Sequence, residues 1–132
     1  MSRFSDRVEA ISISGIREVF EAASDDAINK GTIGLREAVA QKHARDNDLD
    51  VDPNDVIATA GGSEALHLAM EAHVNEGEEV IFPDPGFVAY DALAKLAGGT
   101  PKPVALRDDL TLDPATVEEA ITDDTAVFVV NS

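Results

Sequence analysis

The sequence predicts an α/β fold with a parallel or mostly parallel sheet, and three observations carry that expectation. Short apolar runs at 56–60, 79–82, 103–106 and 125–130 alternate with stretches of helical periodicity. The joints between them hold glycine, proline and capping residues. The last run, Thr125-Ala126-Val127-Phe128-Val129-Val130, is almost wholly apolar, as expected of a strand buried on both faces. Such alternation implies right-handed crossovers between neighbouring parallel strands.

Residues 4–23 read as a helix, because Val8, Ile11, Ile16, Val19 and Phe20 recur at roughly helical spacing, with Gly15 weakening the middle. It would form an arm or an outer helix. After Ser24-Asp25-Asp26, the loop Asn29-Lys30-Gly31-Thr32-Ile33-Gly34 opens a second helix over 35–43, and 46–55 is a polar connector. The run 56–60 is the first expected strand. A helix over 63–75 follows, with Leu66, Ala69, Met70 and His73 on one face. Strand 79–82, helix 87–97 and strand 103–106 come next. The helix over 114–121 has a well-matched start, Asp113 as N-cap and Pro114 at its first position. The closing strand is 125–130. No repeat or low-complexity segment interrupts this order.

At 132 residues and 44% hydrophobic content the chain can fill one modest core. Against 26 Asp and Glu stand 10 Lys and Arg, a formal charge of −16 spread along the sequence. That field disfavours nucleic acid and anionic membranes as partners. Its self-repulsion falls when salt screens it. The balance resembles that of a cytosolic protein of a salt-accumulating halophile, with an acidic mesophilic protein as the alternative. The absence of cysteine excludes disulfides, thiolate metal sites and cysteine nucleophiles. No apolar stretch approaches the roughly 20 residues of a membrane span. Met1-Ser2-Arg3-Phe4-Ser5-Asp6 leads into no signal-peptide core, so a soluble cytoplasmic protein is expected.

The strongest functional feature is Thr59-Ala60-Gly61-Gly62-Ser63-Glu64-Ala65-Leu66, between a strand and an amphipathic helix. Two glycines permit a sharp turn, and Ser63 can cap the helix. The first helical N–H groups and the helix dipole then favour a phosphate. Plain helix capping is the other reading of the same residues. A second loop, Phe82-Pro83-Asp84-Pro85-Gly86-Phe87-Val88-Ala89-Tyr90, is stiffened by two prolines and turned by Gly86. It would bring the Phe87 ring to the sheet edge that carries the phosphate turn, where a phosphorylated aromatic cofactor fits. Alternatively, Phe87 caps the core and Tyr90 packs beneath it.

Other constellations are weaker. His67 and His73 are not at the spacing that places two ligands on one helix face, and read as packing or surface residues. Asp108-Asp109 and Asp123-Asp124 lack a calcium-loop pattern and read as solvated surface, so no metal site is expected. There is no Ser-His-Asp arrangement and no Walker-type Gly-Lys-Ser sequence.

Taken in order, Gly31-x-x-Gly34-Leu35-Arg36-Glu37-Ala38-Val39, the Gly61-Gly62-Ser63 turn and the Pro83–Tyr90 loop resemble class I/II aminotransferases. These are fold type I pyridoxal phosphate enzymes, and the likeness is to the aspartate or aromatic branch in a haloarchaeal version. The resemblance implies that Gly61, Gly62 and Ser63 hold the cofactor phosphate and that Phe87 stacks on the pyridine face. It implies that Arg36 is an ion-pair former in a structural helix. It divides the chain into a helical arm, 1–30, and a partial, truncated three-layer α/β/α cofactor domain, 31–132. Full-length relatives of this kind are homodimers that move an amino group between an amino acid and a 2-oxo acid.

The sequence also departs from the family. Between the first helix and the Gly-Leu-Arg helix it lacks a Gly-x-Pro motif near the substrate carboxylate and a tyrosine just before Gly31, which suggests an internal deletion. Asn131-Ser132 matches the start of an Asn-Pro loop, and the family's pyridine-pairing aspartate, Schiff-base lysine and carboxylate-gripping arginine have no counterpart. Lys30, Lys42, Lys95 and Lys102 are the only lysines, and Lys95 and Lys102 are expected to face solvent. The expectation is therefore an N-terminal part of an aminotransferase, with no catalytic residue of its own and inactive alone. The alternative is a non-catalytic phosphate-binding or interaction module.

Overall fold

The computed structural model describes residues 4–10 and 30–131. In chain order the elements are α1 (Asp6–Glu9), α2 (Ile33–Asn47), a 3-10 turn (Pro53–Asp55), α3 (Gly62–His73), β1 (Glu79–Asp84), α4 (Ala89–Leu96), β2 (Thr100–Ala105), α5 (Pro114–Ala120) and β3 (Thr125–Phe128). The chain falls into two compact units, Met1–Ile11 with Ser63–Ser132, and Ser12–Gly62. Most of the helix expected over 4–23 lies outside the described residues; α1 is the part that is seen.

The first unit is built on a three-stranded, all-parallel sheet in the order β2-β1-β3. Strand β1 is central and alternates its side chains between two cores. Val80 and Phe82 join Met70, Val74, Tyr90, Ala94 and Ala97 on one side. Ile81 joins Val104 and Val117 on the other. Val80 and Ile81 are fully buried, and burial of each such side chain stabilises by about 1.5–3 kcal/mol. The chain runs from β1 out to β2 and then back across to β3, so right-handed crossovers place α4 and α5 on opposite faces.

Strand β2 begins three residues earlier than the sequence pattern suggests and runs through Pro101 and Pro103. Parity explains the tolerance. Thr100 and Leu106 N–H donate to the Glu78 and Asp84 carbonyls at 2.8 and 2.9 Å, so even-numbered residues face β1. The prolines face the outer edge, where a missing N–H costs no ladder bond. Strand β1 contains Pro83 as well. It pairs with β2 through Asp84, but its pairing with β3 stops at Ile81, just before the proline that lacks the next donor.

Strand β3 departs from the sequence expectation. It ends at Phe128, and its exposure alternates: Val127 packs on the first core, whereas Phe128 and Val130 are 36% and 67% exposed. An edge strand covered by helices on one face only shows this period-2 pattern. The start of α5 is as expected, with the Asp113 side chain accepting from Ala115 N–H at 3.2 Å.

The amino-terminal segment closes the far end of the first unit. Ser5 is fully buried, donating from N–H to Ala72 O at 2.7 Å and from Oγ to Glu71 O at 2.9 Å. Arg7 Nη2 donates to Val74 O and Ala97 O at 2.9 and 3.0 Å, a cation at the carboxyl ends of α3 and α4 where the helix dipoles favour it.

In the second unit, Arg36 of α2 donates to Pro53 O at 3.1 Å and Asn54 Oδ1 at 3.4 Å, so among the described residues its partners are a carbonyl and an amide rather than the expected carboxylate. The run 56–60 is not a strand. Its backbone donates from Val56 N–H to Pro53 O at 3.3 Å and from Ala58 N–H to Lys30 O at 2.9 Å, and no strand stands among the described residues of this unit to build a ladder.

At the amino ends of the strands, Glu79 cross-links the sheet. Its carboxylate accepts from Lys102 Nζ of β2 at 2.8 and 2.9 Å, from Thr122 Oγ1 at 2.7 Å and from Thr125 Oγ1 at 3.1 Å. The hydrogen bond from Lys102, then that from Thr122, holds the Glu79 carboxyl below its ordinary 4.5. Stability from this cluster is present above that unfolded-state value and is lost as pH falls through the lower folded-state value. In urea unfolding measured from pH 7 to pH 3, Glu79→Gln is expected to flatten the acid limb, and a limb as steep as wild type would show that the cluster does not contribute.

Candidate functional site

Parallel strands bring their carboxyl ends to one edge of the sheet, and ligands bind outside that edge where crossovers reverse direction. Here the reversal lies between β1 and β3, whose pairing ends early, at Ile81. The Pro83–Tyr90 loop leaves β1 at this point. Gly86 is required within it, since a Cβ there would run into the Pro83 carbonyl oxygen.

Phe87, in this loop, is 47% exposed, and Tyr90 is 6% exposed. The two rings are perpendicular, with centroids 5.6 Å apart at an interplanar angle of 83°. Thus Tyr90 packs beneath Phe87, as one reading of the sequence has it, while Phe87 keeps about half its surface exposed.

Gly61 has φ +117°, a conformation that L side chains rarely adopt. Thr59 Oγ1 donates to Gly61 O at 3.0 Å and braces the turn. Helix α3 starts at Gly62, so Ser63 lies inside the first turn rather than ahead of it as a cap. Ser63 is thus carried by the first helical turn, whose N–H groups lack intrahelical acceptors. Residues 61–65 are exposed, and a Cβ at Gly61 or Gly62 would meet no heavy atom within 4 Å. The turn opens onto free space.

Leu66, one turn beyond Ser63, packs on the core cluster that contains Tyr90, and Tyr90 carries Phe87. Ser63 and Phe87 are thus attached to one buried cluster by its α3 and α4 sides. Backbone donors with a hydroxyl and a half-exposed ring are the groups that a phosphorylated planar aromatic molecule needs.

The lysines are engaged elsewhere. Lys95 pairs with Asp91 at 2.7 Å in solvent, as expected. Lys102, expected to face solvent, is half-buried against Glu79 because the edge strand carries it alongside β1. Lys30 Nζ donates to Asn54 O at 3.2 Å, and Lys42 lies 3.8 Å from Asp46. His73 stacks on Phe4 with centroids 5.4 Å apart, a packing role.

Sequence reasoning missed a cleft of about 430 Å³ among the loops after all three strands, lined by Pro83, Gly86, Leu106, Leu110, Thr111 and Asn131. Its signal was present, because each lining segment follows an apolar run. Leu112, also in its wall, packs on the Ile81 cluster, so the cleft lies toward α5 rather than toward Phe87. Its rim is fixed by Asp109, which accepts from the Thr111 hydroxyl at 2.6 Å and the Thr111 N–H at 3.0 Å. The hydroxyl first, then the N–H, lowers the Asp109 carboxyl below its ordinary range.

Residues 28–132 match the family described as aminotransferase class I and II. A probable aspartate aminotransferase of Methanocaldococcus jannaschii is 33% identical, aligned over 97% of this chain and 43% of its own length. A probable aspartate/prephenate aminotransferase of Thermus aquaticus is 37% identical over 96% of this chain and 34% of its own. Among solved structures, a mutant aspartate aminotransferase of Thermus thermophilus superposes with a TM-score of 0.77 at 34% identity, covering 97% of this chain and 41% of that one. The chain spans less than half the length of each of these.

Since the Gly86 position admits no Cβ without moving backbone, Gly86→Ala is expected to cost about 1–3 kcal/mol in denaturant unfolding. A wild-type midpoint would show that the loop yields freely.

Proposed function

The chain belongs to the aminotransferase class I and II family, and from that membership we propose that it supplies the phosphate-binding and ring-stacking part of a pyridoxal 5'-phosphate site. The observation that carries this reading is the attachment of Ser63, in the first turn of α3, and of the Phe87 ring to one core through Leu66 and Tyr90. In the proposal, N–H groups of the first turn of α3 and the Ser63 hydroxyl bind the phosphate. Phe87 orients the pyridine ring by stacking. The cofactor, when bound, supplies the electron sink that stabilises negative charge at a substrate carbon.

Amino-group transfer between an amino acid and a 2-oxo acid, assembly as a homodimer and residence in the cytoplasm are proposed for the full-length protein. The names of the aligned relatives support an aspartate- or aromatic-type substrate. The start of the family match at residue 28 supports reading 1–30 as an arm and 31–132 as the partial cofactor domain. The chain alone is proposed to bind the cofactor without transaminating, since its four lysines hold other partners. A second reading, an interaction module, draws support from Phe128, exposed at the end of β3, and Val130, exposed just beyond it.

Pyridoxal phosphate titration of the chain in molar potassium chloride separates the two. The expected outcome is saturable binding that Ser63→Ala weakens by about tenfold, the worth of one hydrogen bond to a charged group. Absence of saturable binding in a folded chain would favour the interaction module. The formal charge of −16 supports a halophilic origin. Accordingly, the thermal midpoint should rise between about 0.1 M and about 2 M potassium chloride as screening relieves self-repulsion. A flat or falling midpoint would count against that origin.

A further inference from the structure

We propose that Tyr90 is a positioning residue that holds the Phe87 ring as a fixed, half-exposed platform for a planar aromatic ligand; this rests on the cofactor reading above. A phenylalanine on a surface loop has several rotamers open to it, and ordering it when a ligand arrives costs affinity. The structure removes that freedom in advance. Tyr90 N–H donates to Phe87 O at 3.1 Å, which sets the two residues one turn apart at the start of α4. Their perpendicular ring contact then fixes the Phe87 side chain.

Tyr90 is itself held. It is 6% exposed, lies in the cluster of Met70, Val74 and Ala94, and meets Phe82 of β1 with centroids 6.0 Å apart at 48°. Three rings therefore lead from the centre of the sheet to the surface, Phe82 to Tyr90 to Phe87. The neighbouring Val88 is 85% exposed and offers the loop no such anchor. A tyrosine serving only as core filler would not need to meet an exposed ring edge to face.

The test is side-chain NMR of the full chain labelled at aromatic residues, with Tyr90→Phe, Tyr90→Leu and Phe87→Leu, alongside pyridoxal phosphate titration. Phe87 ring signals are expected to show a ring-current shift that Tyr90→Phe retains and Tyr90→Leu abolishes, with the sheet amide signals unchanged. Pyridoxal phosphate affinity is expected to stay within about twofold for Tyr90→Phe and to fall about fivefold for Tyr90→Leu, while inorganic phosphate binds all three alike. A folded Tyr90→Leu protein with Phe87 signals in place overturns the proposal. Should Tyr90→Leu not fold, Phe87→Leu decides, because the contact is reciprocal: unmoved Tyr90 ring signals overturn the proposal and displaced ones support it. If the ring shifts behave as expected but wild type binds no pyridoxal phosphate, the cofactor reading fails while the hold of Tyr90 on Phe87 stands.

Discussion

The first unit depends on the burial of β1 from both sides. A strand whose residues alternate between two cores cannot shift by one position without exchanging the contents of those cores, so its register is strongly fixed. Val80 and Phe82 commit α3 and α4 to one face, and Ile81 commits α5 to the other. Everything at the carboxyl edge inherits its position from that constraint. The loop bearing Phe87 begins where β1 ends, and α3, which carries Ser63, joins the cluster of Val80 and Phe82 through Leu66 and Met70, with Val74 just beyond its end.

Two unlike devices are at work. One is backbone conformation, a positive φ at Gly61 just before α3 starts. The other is side-chain packing, the ring contacts that carry order outward from Phe82. The opposite end is tied by charge. Arg7 satisfies carbonyls at the ends of both α3 and α4, and Glu79 gathers donors from β2 and from the approach to β3. Polar anchoring at one end leaves the other free to present open groups.

Much of this was legible in the sequence because it follows from period and punctuation. The alternating runs marked β1, β2 and β3, and Asp113-Pro114 marked the start of α5. The motif residues Gly61, Gly62, Ser63 and Phe87 are all exposed, at or near the starts of α3 and α4. What was illegible depends on neighbours. Proline propensity argues against a strand at 100–105, and only the parity set by pairing with β1 shows that Pro101 and Pro103 face outward. The run 56–60 has strand composition but no ladder partner among the described residues of its unit. Lys102 looks like a surface residue between two prolines until the register sets it beside Glu79. Ser63 falls inside the helix because α3 already starts at Gly62, two residues earlier than a cap at Ser63 requires.

The outward-facing prolines of β2 give the sheet a direction of growth. A strand approaching that side meets two positions with no N–H to offer, so any strand that lengthens the sheet, whatever its origin, is steered to β3. Were two copies to meet through their β3 edges, both outer edges of the joined sheet would be the prolyl ones. Such pairing terminates itself at two, and the same residues that look like flaws in a strand keep an exposed edge from seeding a fibre.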